Sequence, residues 1–255
     1  AVEDNQADAI RKLRHMTKDS PLVRIAVLKT KYPQGDERQL IYALSGKELP
    51  AGRLPADLGY VIFNAETCAA VYTAFTVGAP LTHRILTCDG DCVHTPKNLL
   101  VPIGTSLRDV IAFCGGLCSK PKKIISGGPM MGTALWDVDS PVTKGTSSVL
   151  VFSEKMLPRE DAHACCIRCG RCVHGCPMHL MPVYAAHYAK LGDYETAQSY
   201  DIMSCVECGT CSYNCPGNVP LVQYIRKAKA EIREQKKARE AALRAAQTDA
   251  GGDKA

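Results

Sequence analysis

Two runs of cysteine hold the reactive chemistry of this chain. They are Cys166-x-x-Cys169-x-x-Cys172-x-x-x-Cys176-Pro177 and, 39 residues on, Cys205-x-x-Cys208-x-x-Cys211-x-x-x-Cys215-Pro216. Three thiolates at two-residue gaps can wrap three irons of one cubane, and a fourth set before a proline that turns the chain away reaches the other cluster. The spacing therefore predicts two [4Fe-4S] clusters with crossed ligands. One takes Cys166, Cys169, Cys172 and Cys215; the other takes Cys205, Cys208, Cys211 and Cys176. Such a chain conducts single electrons. Two CxxC pairs can also build a tetrahedral zinc site. Zinc needs only four sulfurs, and nothing in it asks for the third cysteine, the fourth at a longer gap and the proline, twice over. A disulfide framework suits small secreted domains better than 255 residues with uneven cysteine spacing.

The elements that must carry these loops are helical. MPVYAAHYAKLG and DYETAQSYDIMS, divided by Gly192, lie between the two motifs with Tyr184, His187 and Leu191 on one helical face. Compact two-cluster ferredoxins join their motifs by a shorter, β-rich link, so the spacing favours a helical dicluster module. With eight thiolates supplied, His174, His179 and His187 are read as surface or supporting residues. Cys68, Cys88, Cys92, Cys114 and Cys118 are assigned no chemistry, since buried free cysteine behaves as a small apolar residue. Cys165 adjoins the first ligand, but only Cys166 keeps the two-residue gap to Cys169.

Upstream, a first helix is expected with Asp4 or Asn5 as its cap, Ala9, Ile10, Leu13 and Met16 in its apolar rhythm, and no strand before it. Leu22 to Thr30 reads as a buried strand, Glu37 to Leu44 as a short helix ended by Gly46, Tyr60 to Phe63 as a second buried strand, and Ala65 to Val77 as a helix ended by Gly78. Strands alternating with helices argue an α/β layer. From Pro80 the pattern changes to HRILTCDGD, NLLVPIG, a helix over Ser106 to Phe113, KKIISGG and SSVLVFS, which suggests a small mixed sheet of the β-grasp kind around one helix. Ser126-Gly127-Gly128-Pro129-Met130-Met131-Gly132 lacks the strand-loop-helix setting and lysine of a P-loop and reads as a tight turn.

Hydrophobic content of 46% and charged content of 22% are ordinary for a globular protein. No apolar run reaches the roughly 18 residues that span a bilayer, so membrane association would go through partners. Fourteen cysteines, eight of them in the motifs, imply a reducing compartment and place the chain in the cytoplasm. The net charge of +5 gathers largely between Arg226 and Arg244, where Glu231, Glu234 and Glu240 interleave with the bases as on a solvated helix, which argues against a nucleic-acid partner. The final TDAGGDKA is expected to be disordered. Ala1 is not an initiator methionine, and the chain is expected to be a piece of something longer.

The order YPQGDERQLIYAL, PADLGYVIFNAET, the segment holding SGGPMMG and then the two CxxCxxCxxxCP motifs resembles the C subunit of the Rnf ion-translocating electron-transport complex over nearly the whole chain. The first part is also similar to the flavin-bearing, NADH-oxidising subunit of respiratory complex I. That resemblance assigns FMN contacts to Tyr32, Gly35, Asp36 and Glu37 in one loop and to Asn64, Glu66 and Thr67 at the next strand end and helix start. Asp36 stands where that relative carries glutamate, and Phe63 where it usually has a second asparagine. The glycine-rich flavin and nicotinamide loop of the family is expected upstream, so this piece by itself is not catalytically complete. The residues themselves also permit ordinary turn and cap chemistry at these positions.

Together these expectations describe an α+β multidomain chain. Residues 1–79 form a partial α/β flavin-subunit-like domain, 80–153 a β-grasp-like domain, 154–228 a helical two-cluster ferredoxin domain and 229–255 a basic helical, partly disordered tail. The resemblance implies an electron-relay subunit of a membrane-associated, ion-translocating NAD:ferredoxin-type oxidoreductase, with two [4Fe-4S] clusters, FMN, and NAD(H) as substrate of the full protein. Its partners would be other subunits of the membrane complex and ferredoxin-type or flavin electron carriers, met peripherally on the cytoplasmic side. Rival readings are a flavin and iron-sulfur cobalamin reductase of a metabolic microcompartment, which would lack membrane subunits, and a plain soluble carrier, which would not need the scaffold ahead of the clusters.

Overall fold

The computed structural model describes residues 1–157 and 164–251. The chain is α+β and divides into two compact units, one made of 1–62, 170–206 and 221–255, the other of 63–169 and 207–220.

In the first unit, β1 (Val2–Glu3) pairs in parallel with β2 (Val27–Leu28), so a strand does precede α1 (Ala7–Thr17). Asp4 is not the cap of that helix. Its carboxylate accepts from the Thr30 amide at 3.0 Å and hydroxyl at 2.6 Å, beside the strand pair, and Gln6 takes the N-cap position without a side-chain bond. The strand expected over Leu22 to Thr30 shrinks to two residues. Tyr60 to Phe63 forms no strand, and Val61 and Phe63 are 69% and 55% exposed. A ladder needs a neighbour to satisfy its amides, and among the described residues none pairs with this segment. The α/β layer expected here is thus reduced to a two-residue parallel ladder.

The local signals at the ends of α2 are realised. Asp36 caps α2 (Glu37–Ser45), accepting from the amides of Arg38 and Gln39, and Gly46 closes it in the left-handed conformation. The rest of this unit is helical: α5 (Arg171–His174), α6 (Pro182–Leu191), α7 (Tyr194–Ser199) and α9 (Leu221–Gly251), with α6 packed on α9. The buried face of α6 is Pro182, Ala185, Ala186 and Ala189, whereas Tyr184, His187 and Leu191 face outward. Small side chains let α9 approach closely with Leu221, Val222, Ile225, Ala228 and Ile232 buried. Tyr200, after α7, stacks on Tyr184 and Tyr188 at 5.4 and 5.7 Å between centroids. The segment read as a solvated helix is therefore buried along one stripe as far as Ile232 and exposed beyond it. The helix continues through 251, into the run expected to be disordered; 252–255 lie outside the described residues.

In the second unit, α3 (Ala65–Val77) precedes a five-stranded sheet in the order β4-β3-β7-β5-β6. These strands are β3 (His83–Asp89), β4 (Lys97–Pro102), β5 (Lys123–Ser126), β6 (Thr133–Leu135) and β7 (Ser148–Phe152). β3 runs parallel to β7 and every other pairing is antiparallel. β6 is too short to have shown alternation in the sequence. Ser106 caps α4 (Leu107–Phe113), whose Leu107, Val110 and Ile111 bury against Leu86, Val101, Val149 and Val151 of the sheet. SGGPMMG is the β5–β6 connection, tightened by a bond of 2.7 Å from the Gly132 amide to the Gly128 carbonyl; it is a turn and opens no helix. The motif helix α8 (Thr210–Tyr213) also belongs to this unit.

Candidate iron-sulfur and flavin sites

The two cysteine motifs have the same backbone. Arg168 and Glu207, each two residues after the first cysteine, take φ of 56° and 58°, and Gly170 and Gly209, each after the second cysteine, take 76° and 81°. A left-handed conformation is disfavoured for a residue with a Cβ, so a matched pair in Arg168 and Glu207 marks a loop shape the fold imposes twice. The pattern continues with α5 and α8, and then with His179 and Asn218 at 54° and 50°.

The hydrogen bonds repeat as well. The amides of His174 and Tyr213 donate to the carbonyls of Gly170 and Gly209 at 3.1 and 3.0 Å. Those of Cys176 and Cys215 donate to Val173 and Ser212 at 3.1 and 3.2 Å, and those of His179 and Asn218 donate to Cys176 and Cys215 at 3.1 and 3.2 Å. Even the following helices, α6 and α9, begin at equivalent positions, Pro182 and Leu221.

Within these loops Cys208 and Cys211 are buried, Cys172, Cys176, Cys205 and Cys215 are half-buried, and Cys166 and Cys169 are exposed. Among the described residues no three thiol, imidazole or carboxylate groups converge as ligands of a single metal ion. A cubane asks for no such convergence, because each thiolate binds a different iron. The donor set is all sulfur, and the Arg168 amide points at the Cys166 sulfur from 3.4 Å. Both features fit iron-sulfur clusters.

Several residues that no motif announces hold these loops. In the second unit a Cβ on Gly217 would lie 2.0 Å from the Cys165 carbonyl oxygen, so the start of the first motif is packed against the residues after Cys215. The Met130 carbonyl of the glycine-rich turn would be 2.9 Å from a Cβ on Gly209, which gives that turn a packing role on the second motif. In the first unit Gln39 of α2 donates to the Pro177 carbonyl at 3.0 Å, next to Cys176, and Lys229 of α9 donates to the Cys205 carbonyl at 2.6 Å.

The residues matched to flavin contacts fall into two groups. Tyr32, joined to Pro33 by a cis peptide bond, Gly35, Asp36 and Glu37 form the turn into α2 in the first unit. Asn64, Glu66 and Thr67 form the start of α3 in the second. Asn64 caps α3 by accepting from the Glu66 amide at 2.9 Å. Glu66 is occupied on both oxygens: Arg84 Nη2 pairs with Oε2 at 2.9 Å and the Ile85 amide donates to Oε1 at 2.7 Å. Arg84 is buried on β3, and its Nε has no hydrogen-bond partner among the described residues.

Cys88, Cys92 and Cys114 lie in the core of the sheet unit, where burial pushes the Cys88 thiol up to about 12, with the neighbouring Cys114 thiol and then Asp89 adding to it. All three thiols are buried, and the Cys92 sulfur accepts from the Ser119 hydroxyl at 3.0 Å, while Cys68, Cys118 and Cys165 are exposed. His187 is exposed, as is His179, and His174 is exposed too.

Comparison with known proteins places each part. The Nuo51 FMN-binding domain matches residues 1–73, the SLBB domain residues 85–134 and the 4Fe-4S dicluster domain residues 158–240. The C subunit of the proton-translocating ferredoxin:NAD(+) oxidoreductase complex of Clostridium ljungdahlii is 46% identical over 233 residues, which is 91% of this chain and 50% of that protein. Its counterpart in the Na(+)-translocating ferredoxin:NAD(+) oxidoreductase complex of Acetobacterium woodii is 45% identical over 91% of this chain and 52% of its own length. The C subunit of the ion-translocating oxidoreductase complex of Pseudomonas aeruginosa is 44% identical over 92% of this chain and 30% of its own length. With two cysteine loops of one shape and this similarity along nine-tenths of its length, the chain, spanning about half of the first two of these relatives, belongs to the C-subunit family of the Rnf-type ion-translocating oxidoreductases.

Proposed function

We propose that this chain is the electron-relay part of an Rnf-type C subunit, carrying electrons between an NAD(H)-reacting flavin and ferredoxin-side partners through two [4Fe-4S] clusters. The observation that carries the reading is the doubled cysteine loop, alike in spacing, dihedral angles and hydrogen bonds. Cys166, Cys169, Cys172 and Cys215 hold one cluster and Cys205, Cys208, Cys211 and Cys176 the other. The approach of Gly217 to Cys165 supports the crossing, since it sets the segment after Cys215 beside the cysteine preceding Cys166. Such clusters take and release single electrons, and a flavin exchanges hydride for single electrons. The chain's own residues bind, orient and shield these groups.

The flavin contacts are Tyr32, Gly35, Asp36, Glu37, Asn64, Glu66 and Thr67, with Asp36, Asn64 and Glu66 acting through the caps and the clamp they form. One detail supports a flavin-to-cluster route. The same helix that begins at Glu37 reaches the Cys176 segment through Gln39, less than one helical turn later. The five-stranded mixed sheet around α4 is β-grasp-like, and the functional division is 1–79, 80–153, 154–228 and 229–255. The protein sits peripherally on the cytoplasmic side of its membrane complex.

Anaerobic purification should give about eight irons and eight acid-labile sulfides per chain. Cys176→Ala should damage the cluster held by Cys205, Cys208 and Cys211, and Cys215→Ala its neighbour. Zinc in place of iron would reject the clusters, and the opposite pairing of spectral losses would reject the crossing. For the flavin, fluorescence titration of the full-length protein should show FMN affinity falling about tenfold or more in Glu37→Ala and Asn64→Ala. Unchanged affinity in both would reduce these residues to scaffold.

A further inference from the structure

The two cysteine loops share a backbone but not a cover. Gly170 and Gly209 stand at the same position of the repeat, with φ of 76° and 81°. Among the described residues nothing lies within 4 Å of where a Cβ on Gly170 would be. At Gly209 that space is taken by Met130 of the glycine-rich turn, with its carbonyl oxygen at 2.9 Å and its Cε at 3.6 Å. Gly209 is buried, and Cys208 and Cys211 on either side of it are each 7% exposed. Their counterparts, Cys169 and Cys172, are exposed and half-buried.

The turn is built for this approach. Gly127 is in the left-handed region with φ of 99°, and its amide donates to the Ser148 carbonyl of β7 at 2.8 Å, which anchors the turn to the sheet. Gly132 closes the turn where no side chain has room: a Cβ there would lie 2.5 Å from the Gly128 carbonyl oxygen and from Ile125 Cγ2, and 2.8 Å from the Ser126 carbonyl oxygen. A turn that only joined β5 to β6 would have no need to meet a cysteine loop. Glycine on both sides lets the two main chains come into contact.

A cluster held by four thiolates becomes more negative by one unit when it takes up an electron. Water stabilises that extra charge, so a contact that excludes water disfavours it, and a carbonyl oxygen brings the negative end of its dipole nearby. We propose that the Ser126–Gly132 turn is a redox-tuning cover of the second cluster, in which the Met130 main chain, seated on Gly209, keeps water from the edge bound by Cys208 and Cys211 and lowers the potential of that cluster. Met130 is thus a positioning residue of the cofactor. The inference rests on the two-cluster reading above.

The test is a mediated redox titration of the anaerobically purified protein followed by electron paramagnetic resonance, with deuterium coupling measured after exchange into heavy water and iron and sulfide counted in every variant. The signal that Cys176→Ala removes identifies the second cluster. Gly132→Ala displaces the turn without touching either motif, and Met130→Ala removes the side-chain part of the cover while keeping the main chain. Gly132→Ala should shift the reduction equilibrium of the second cluster at least tenfold toward the reduced form, about 59 mV for one electron, and strengthen its deuterium coupling. Met130→Ala should act in the same direction to a smaller extent, and the first cluster should move in neither variant. A Gly132→Ala protein that holds eight irons at the wild-type potential and deuterium coupling overturns the proposal, as does a shift toward the oxidised form. Loss of the second cluster from both variants overturns it too, because the turn would then be a structural brace. If Gly132→Ala alone loses the cluster, the potential of Met130→Ala decides, and no shift there rejects the cover. A wild type without eight irons fails the two-cluster reading itself, which the iron count reveals before any titration.

Discussion

Glu66 shows how one carboxylate is spent. Its side chain is 22% exposed and that of Arg84 only 8%, so the pair is largely out of water, and the second carboxylate oxygen is taken by the Ile85 amide. Removing one partner of a buried pair strands the other, at a cost of about 3–5 kcal/mol, whereas removing both is often close to neutral. Arg84→Met should therefore lower stability in urea unfolding by about 3 kcal/mol, and Glu66→Gln with Arg84→Met should recover most of the loss. A double variant no better than the sum of its parts would show that the pair does not tie α3 to β3. The family resemblance assigned Glu66 to an FMN contact as an expectation; its bond to Arg84, 18 residues on, was not legible, because nothing in local spacing says which carboxylate a strand arginine will meet.

At the scale of elements, the ends of α2, α3 and α4 and four strands of the sheet were readable, whereas the cap of α1 and the two strands expected in residues 22–63 were not. Asp36, Asn64 and Ser106 cap by bonding amides two or three residues ahead, a contact that needs no tertiary partner. Tyr60 to Phe63 had strand composition and no ladder to join. In the sheet unit, β3 alternates between exposed and buried residues, which puts Cys88 in the core beside Cys114. The Cys88 thiol is held up to about 12 from its ordinary value of 9.0, first by burial and then by Cys114. A raised pKa contributes stability that is fully present below pH 9 and lost as pH rises toward about 12, because the unfolded chain ionises first, at about 1.4 kcal/mol per pH unit for one thiol. Denaturant midpoints of the wild type should fall over that window more steeply than those of Cys88→Ala. Equal slopes would mean that Cys88 is not neutral and buried.

For the whole molecule, no helix among the described residues is long and apolar enough to cross a membrane. The exposed basic stretch of α9 beyond Ile232 gives any contact it makes with acidic groups a salt-sensitive component. The protein in native membranes should be released by alkaline or high-salt washing. Retention through both, as for an integral membrane protein, would contradict peripheral attachment.

The spacing of the thiolates, the two-fold repeat with its prolines, and the ends of α2, α3 and α4 could be read from the chain alone, because each depends on residues within a few positions of one another. The sequence also carried the family resemblance along nearly the whole chain. Only the tertiary structure decided which of two equivalent lysines is buried against a cysteine carbonyl, that the glycine-rich turn packs on the second motif, and that two expected strands shrink or vanish. Burial and strand pairing are properties of what folds back onto a segment from far along the chain. In Lys190 and Lys229, at equivalent positions of the repeat, the same residue in the same local pattern meets two different environments, and that difference is written in the packing alone.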